Sequence, residues 1–222
     1  MPEDTKPSKL KWILIAVNGF LVLGVIIVFV FATRPEDHHI ARKLQTRGYM
    51  VIYNWEYDDT SNEISIWQRP THVAGNDVNL SPEDSRLICQ LPCLYALDFA
   101  QGDVSGLNLD NIGNCQRLRY FRFFSVTGFP KGEIQKLATC PVAHIALVGV
   151  GLTDSNLEAF IKFSDLENLA LNDNVGITDA GLEHLEKIPN LKELNLSKTS
   201  VTKEGIEEFQ EKRPDVTVHI VW

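Results

Sequence analysis

LENLALNDNVGITDAGLEHLEKIPNLK, residues 166–192, sets a frame that most of the chain obeys. Leu166, Leu169 and Leu171 follow an L-x-x-L-x-L spacing, and the pattern restarts with Leu191, Leu194 and Leu196. Carried backwards with other apolar residues allowed, it recurs as Val142/Ile145/Leu147, Leu118/Phe121/Phe123 and Leu94/Leu97/Phe99, with offsets of 24, 24, 24 and 25. Apolar side chains two apart share one face of a strand, so each occurrence predicts a short strand with one buried side.

A second element recurs 14 residues ahead of most of these strands. Leu80-Ser81-Pro82, Leu152-Thr153-Asp154 and Ile177-Thr178-Asp179 stand there, and Val201-Thr202-Lys203 falls one residue out of step before Val216. A Ser or Thr hydroxyl at such a point can accept a bond from an otherwise unpaired N–H of the first helical turn. The apolar spacings that follow, Leu157/Phe160/Phe163, Leu182/Leu185/Ile188 and Ile206/Phe209, predict one face of a short helix. Each unit is then a strand, a turn and a returning helix. Neither piece can bury its apolar side alone, so the units must stack into an α/β solenoid, parallel strands on the concave side and helices on the convex.

Residues 166–192 resemble the leucine-rich repeats of many bacterial proteins and of the ribonuclease-inhibitor-like class, where L-x-x-L-x-L-x-x-N/T is followed by I-T-D-x-G-L. The resemblance covers 80–222 well and 40–79 weakly. It implies a leucine-rich-repeat solenoid that binds protein or peptide partners. The family's ladder position is Asn174 and Thr199 in the last two coils but Gly102, Val126 and Val150 before them, so the earlier coils must turn by other means.

Ahead of the repeats, the chain changes character twice. Trp12 to Ala32 is 21 residues without a charge, apolar all round, and at about 1.5 Å per residue a helix there spans roughly 30 Å, a bilayer's hydrocarbon thickness. This predicts one transmembrane helix at 12–32 behind a short basic tail, 1–11. A cleaved signal peptide is the alternative, with Val30-Phe31-Ala32 as its cleavage site, but the apolar run exceeds an ordinary signal core. Lys6, Lys9 and Lys11 precede the segment and Arg34, Arg42, Lys43 and Arg47 follow it, so the positive-inside count is nearly balanced. Read as a signal anchor, the segment leaves the large domain extracytoplasmic.

A juxtamembrane stretch at 33–47 reads as linker and helix. Residues 48–79 read as a β-hairpin cap, with strands Met50–Tyr57 and Glu63–Gln68 around a turn at Asp58–Asn62. At the other end Val216, Val218 and Ile220 predict a closing strand, with Trp222 over the last core layer.

Beyond residue 34 the chain holds 17 basic and 27 acidic residues, a charge of −10 that phosphate backbones repel, which argues against nucleic-acid partners. The chain carries none of the phosphate-loop, dinucleotide, nucleophile-elbow or zinc-protease motifs, so neither a cofactor nor a small-molecule substrate is implied. Four cysteines lack C-x-x-C spacing and read as packing residues; in an oxidising compartment Cys89–Cys93 and Cys115–Cys140 are the pairs to consider. His38, His39 and His184 converge on no other ligands, and Glu204, Glu207, Glu208 and Glu211 read as the wet face of the last helix.

The frame locates one candidate site. If the pattern's apolar positions face inward, the alternating residues face the concave side: Ala96, Asp98, Ala100; Tyr120, Arg122, Phe124; His144, Ala146, Val148; and later Asn168, Ala170, Asn172, Glu193, Asn195 and Ser197. Asp98, Tyr120, Arg122, Phe124, His144 and Val148 are the expected partner-binding residues, Tyr and Arg being enriched where binding energy concentrates. Asp98 and Arg122 should sit one strand apart, about 4.8 Å. The function expected is a membrane-tethered interaction module without catalysis; the alternative is a structural subunit of a membrane or envelope complex.

Overall fold

The computed structural model of the chain describes residues 35–58 and 63–221. The expected tail and membrane segment lie outside these residues, as do most of the hairpin turn and Trp222. Among the described residues no helix is long and apolar enough to cross a membrane.

Helix α1 (Pro35–Thr46) leads into the antiparallel pair β1 (Met50–Asp58) and β2 (Glu63–Asn76). Strands β3 (Ala96–Ala100), β4 (Tyr120–Phe124), β5 (His144–Val148), β6 (Asn168–Ala170), β7 (Glu193–Asn195) and β8 (Thr217–His219) then add in order, each parallel to the last. The intended inward residues align in register: Leu97, Phe121, Ile145, Leu169 and Leu194 are paired strand to strand and at most 2% exposed. Burying one such side chain stabilises by about 1.5–3 kcal/mol, and the flanking rows Leu94/Leu118/Val142/Leu166/Leu191 and Phe99/Phe123/Leu147/Leu171/Leu196 are buried alongside it.

The hairpin differs from expectation. Its second strand does not stop near Gln68 but runs to Asn76, and His72 to Asn76 pair in parallel with Ala96 to Ala100. Val73 sits opposite Leu97 and is fully buried. The cap is therefore continuous with the sheet, and its second strand is itself the first coil's strand. Gly75 stands opposite Phe99, where a Cβ would come within 2.8 Å of the Phe99 ring and 2.6 Å of Val78.

Return segments are short. Helices α2 (Pro82–Ile88), α3 (Leu109–Ile112), α4 (Asp154–Leu157), α5 (Asp179–Leu185) and α6 (Lys203–Lys212) are joined by 3-10 turns at Lys131–Thr139 and Glu158–Lys162. The expected helix through Leu157, Phe160 and Phe163 is thus mostly 3-10, and the spacing explains it. Residues three apart lie directly above one another at three residues per turn, and all three side chains are buried.

Every coil turns through a left-handed residue, whether or not it carries the ladder Asn. Asp77, Gln101, Ser125, Gly149, Asp173 and Lys198 form a column one coil apart, all in the left-handed region with φ between 51° and 63°. Their N–H groups donate to the next coil, Gln101 to Phe124 at 2.9 Å and Ser125 to Val148 at 2.7 Å, which offsets the cost of a left-handed non-glycine residue. In the fourth repeat Asn174 does what the motif demands. It is fully buried, donates to the carbonyls of Leu147 (2.7 Å) and Leu171 (2.8 Å), and accepts from the Leu152 N–H at 2.9 Å.

The T-D-x-G portion has an equally local cause. The Asp154 carboxylate accepts from both the N–H and the hydroxyl of Thr178 in the following coil, each at 2.8 Å. Gly181 leaves room for it, since a Cβ there would lie 2.5 Å from Asp154 Oδ1. Asp179, Thr202 and Gly205 repeat the arrangement one coil on.

At the first coil α1 is clamped onto α2. Lys43 and Arg47 meet Glu83 at 2.8 and 2.7 Å, and Arg47 also reaches Asp84, which accepts from Tyr49 at 3.0 Å and completes a capping box with Ser81. These two cations, one each side of a carboxylate, hold Glu83 down at about 2.

Candidate functional site

All six expected residues lie on β3, β4 and β5. The register sets Asp98 opposite Arg122, Tyr120 opposite His144 and Phe124 opposite Val148. Arg122 grips Asp98 with two parallel bonds, Nε to Oδ1 at 2.5 Å and Nη2 to Oδ2 at 2.6 Å, and its guanidinium carbon sits 5.4 Å from the centre of the Tyr120 ring. With the Arg122 side chain 40% exposed, the pair contributes at most about 1 kcal/mol to stability. Its consequence is geometric: the guanidinium is held in one place on an otherwise open surface.

Tyr120 is the centre of a column of rings. His144 stacks on it with centroids 4.3 Å apart and planes within 2°, and on its other side Tyr95 approaches to 5.4 Å, with His72 5.9 Å beyond. Val148 takes no part in this stack and lies beside Phe124 at the far end of the strands. Burial pushes the His72 and His144 imidazoles below their usual value. Asp98 opposes this at His72 and Glu167 at His144, while Arg122 adds to it at both.

Two intended concave positions are not available. Ala96 is fully buried, as its row neighbours His72 and Tyr120 and the Tyr95 ring between them account for. Ser197 is 8% exposed because its hydroxyl donates to Asn195 Oδ1 at 2.8 Å and accepts from the Val221 N–H.

Four large concave residues escaped the pattern. His72 was reachable, since it stands 24 residues before Ala96 in the same frame. Met50 and Ile52, 63% and 43% exposed, pair with Ala74 and His72 on β1, so the hairpin extends the concave face and does not merely shield an edge. Tyr95 precedes its strand and breaks the alternation; nothing in the spacing marks it.

Among the described residues no three His, Cys, Asp or Glu side chains are placed to hold a metal ion. Among the described residues the cysteines form no disulfide. Cys89 interacts with Cys115 on the next coil and not with its sequence neighbour Cys93, while Cys140, which donates to the Ile112 carbonyl at 3.1 Å, lies near Cys115 as expected. Cys115 and burial hold the Cys89 thiol protonated, and burial raises Cys140 to about 12.

Neither a family model nor a curated protein matches the chain. Solved structures do. The leucine-rich-repeat ectodomain of the receptor kinase SOBIR1 from Arabidopsis thaliana aligns over 85% of this chain and 92% of that one, at 15% identity and a TM-score of 0.37. An internalin from Listeria monocytogenes aligns over 67% of this chain at 14% identity and a TM-score of 0.39, and the match spans about half, 53%, of the internalin. At these scores the resemblance adds nothing to the site; the repeat architecture rests on the stacked strands, buried row and ladder bonds described above.

Proposed function

We propose that the chain is an interaction module, tethered to a membrane by residues 12–32 with its solenoid extracytoplasmic, that binds a protein or peptide on its concave sheet without catalysing a reaction. The reading is carried by one observation. Of the large apolar side chains exposed among the described residues, Met50, Ile52, Tyr95 and Phe124 lie on or beside the first half of the concave face, Tyr95 against the Tyr120–His144 stack and Phe124 at the other end of β4. An apolar and aromatic patch on a domain of net negative charge, with a fixed arginine at its centre, has the composition of a binding surface. The uncharged run of Trp12 to Ala32 supports the tether, and the I-T-D-x-G-L ladder supports kinship with the ribonuclease-inhibitor-like repeats.

A photo-reactive amino acid at position 124, compared with one at the exposed convex Glu207, tests the surface in cells that carry the partner. Adducts are expected from 124, and a Tyr120→Ala/Phe124→Ala variant should lose the same partner while still folding cooperatively, with stability reduced by about 1–3 kcal/mol through the lost ring contacts. A partner retained by that variant, or captured only from 207, refutes the concave reading. External protease added to intact cells should remove the solenoid; protection would reverse the proposed orientation.

A further inference from the structure

Down the middle of the concave face runs a trough of small residues, Ala74, Ala146 and Ala170 standing in one row with Asp98 and Arg122. The ion pair interrupts it and leaves two depressions with Arg122 in the wall of both. The first is floored by Ala74 and Ala100 and walled by Met50 and Phe124, so apart from Asn76 and the Asp98–Arg122 pair at its edge its lining is apolar. The second is floored by Ala146 and Ala170 and bounded by His144, Asn168, Glu193 and, on the last strand, His219. Its charge is unbalanced. Arg122 is already neutralised by Asp98, burial favours the neutral imidazole of His144, and the neighbouring Glu167 is paired with Lys192 at 2.9 Å. Glu193, exposed, takes a 2.6 Å bond from the Asn168 amide and forms no ion pair among the described residues.

The spacing of the two depressions is set by the sheet. Their centres lie near β3 and β6, three strands apart, or roughly 14 Å at about 4.8 Å per strand. An extended peptide lying across the strands covers that distance in about four residues, at ~3.4 Å each. Side chains four apart on an extended chain point the same way, so both can face the trough at once.

We propose, resting on the concave-face reading, that the ligand is an extended peptide crossing the strands. It places an aliphatic or aromatic side chain in the first depression and a lysine or arginine, four residues away in either chain direction, against Glu193 in the second. Arg122 stands between them, with Nη1 uncommitted to Asp98 and directed by a held guanidinium toward a backbone carbonyl of the passing chain.

The test is a display library of random dodecapeptides panned on the full-length chain, followed by binding of synthetic copies of the enriched peptides. Enriched sequences should pair an apolar and a basic residue at a separation of four. Replacing the basic residue by methionine should weaken binding about tenfold, and Glu193→Gln should weaken the parent peptide by a similar factor while leaving the methionine peptide unchanged. Moving the basic residue to a separation of three or five should also cost most of the affinity, because it turns the cation away from the sheet. Peptides that need Tyr120 and Phe124 but show no basic residue, or no fixed separation, overturn this proposal and leave the concave reading standing. Peptides indifferent to Tyr120→Ala/Phe124→Ala, or no enrichment at all, overturn both.

Discussion

Asp179 accepts two hydrogen bonds from Thr202 of the next coil, from its N–H at 2.8 Å and its hydroxyl at 2.7 Å. Thr202 in turn caps α6 by accepting from the Gly205 N–H at 3.1 Å. A Cβ at Gly205 would stand 2.2 Å from Asp179 Oδ1, so the glycine exists to admit the carboxylate. Asp179→Ala should cost about 1–2 kcal/mol, the range for losing a cap interaction. Gly205→Ala should cost at least as much, because it expels the carboxylate. In the double variant the clash is gone and alanine gains up to about 1 kcal/mol of helix preference, so the second change should cost little or nothing. Urea unfolding of the four proteins checks this, and strictly additive losses would refute the glycine's role.

Asn174 predicts a sharper loss. Asn174→Ala strands the Leu147 and Leu171 carbonyls and the Leu152 N–H in a buried turn. The expected cost is about 3 kcal/mol, the upper end for a buried group left unpaired. Thr199→Ala, at the same motif position one coil later, should cost under about 1 kcal/mol, since it breaks a single bond to Leu196 at 2.7 Å in a half-exposed turn. Equal losses in the two variants would show that the ladder asparagine is not what holds its coil.

The contrast between those two turns marks what the sequence could disclose. Strand register was legible because three rows of apolar residues recur over five repeats with nearly one period and a one-residue slip would reverse every face. The T-D-x-G ladder was visible as a motif, though its reason lies between coils and appears only when Asp154 is seen beside Thr178 and Gly181. The left-handed column left no trace, since Asp77, Gln101, Ser125, Gly149, Asp173 and Lys198 share a backbone conformation and not a chemistry. At the candidate site the alternation rule found Tyr120, Arg122 and His144 but could not find Tyr95, which reaches the stack from outside its strand. Met50 and Ile52 were missed for a different reason: reading the hairpin as a separate cap hid the continuation of the sheet.

Thiol chemistry should follow the coils and not the local spacing. Cys89 and Cys93 are four residues apart in sequence, but it is Cys115, across the stack, that Cys89 interacts with. Treating the folded chain with diamide, which takes up the two electrons and two protons that a pair of thiols releases, should join Cys89 to Cys115. Peptide mass spectrometry without reduction reads the linkage. A Cys89–Cys93 link as the first product would show that the coil spacing does not govern which sulfurs meet.

The last prediction joins acid sensitivity to the site. His144 titrates below its usual value of 6.5, chiefly from burial against the Tyr120 ring; Glu167 raises it, Arg122 lowers it and Glu193 raises it. With the folded value depressed, the unfolded chain takes up the proton first. Stability from this residue is therefore complete above about pH 6.5 and falls as the pH drops toward the folded value, below which the loss is complete and stops growing. Two neighbours should move the midpoint in opposite directions. Glu193→Gln removes an anion that favours the imidazolium and should lower it further; Arg122→Ala removes a cation that disfavours it and should raise it. Proton–carbon NMR of the His144 ring in the two variants reads both signs directly. A shift in the same direction for both would mean that altered packing against Tyr120, and not charge across the groove, sets the proton affinity of this face.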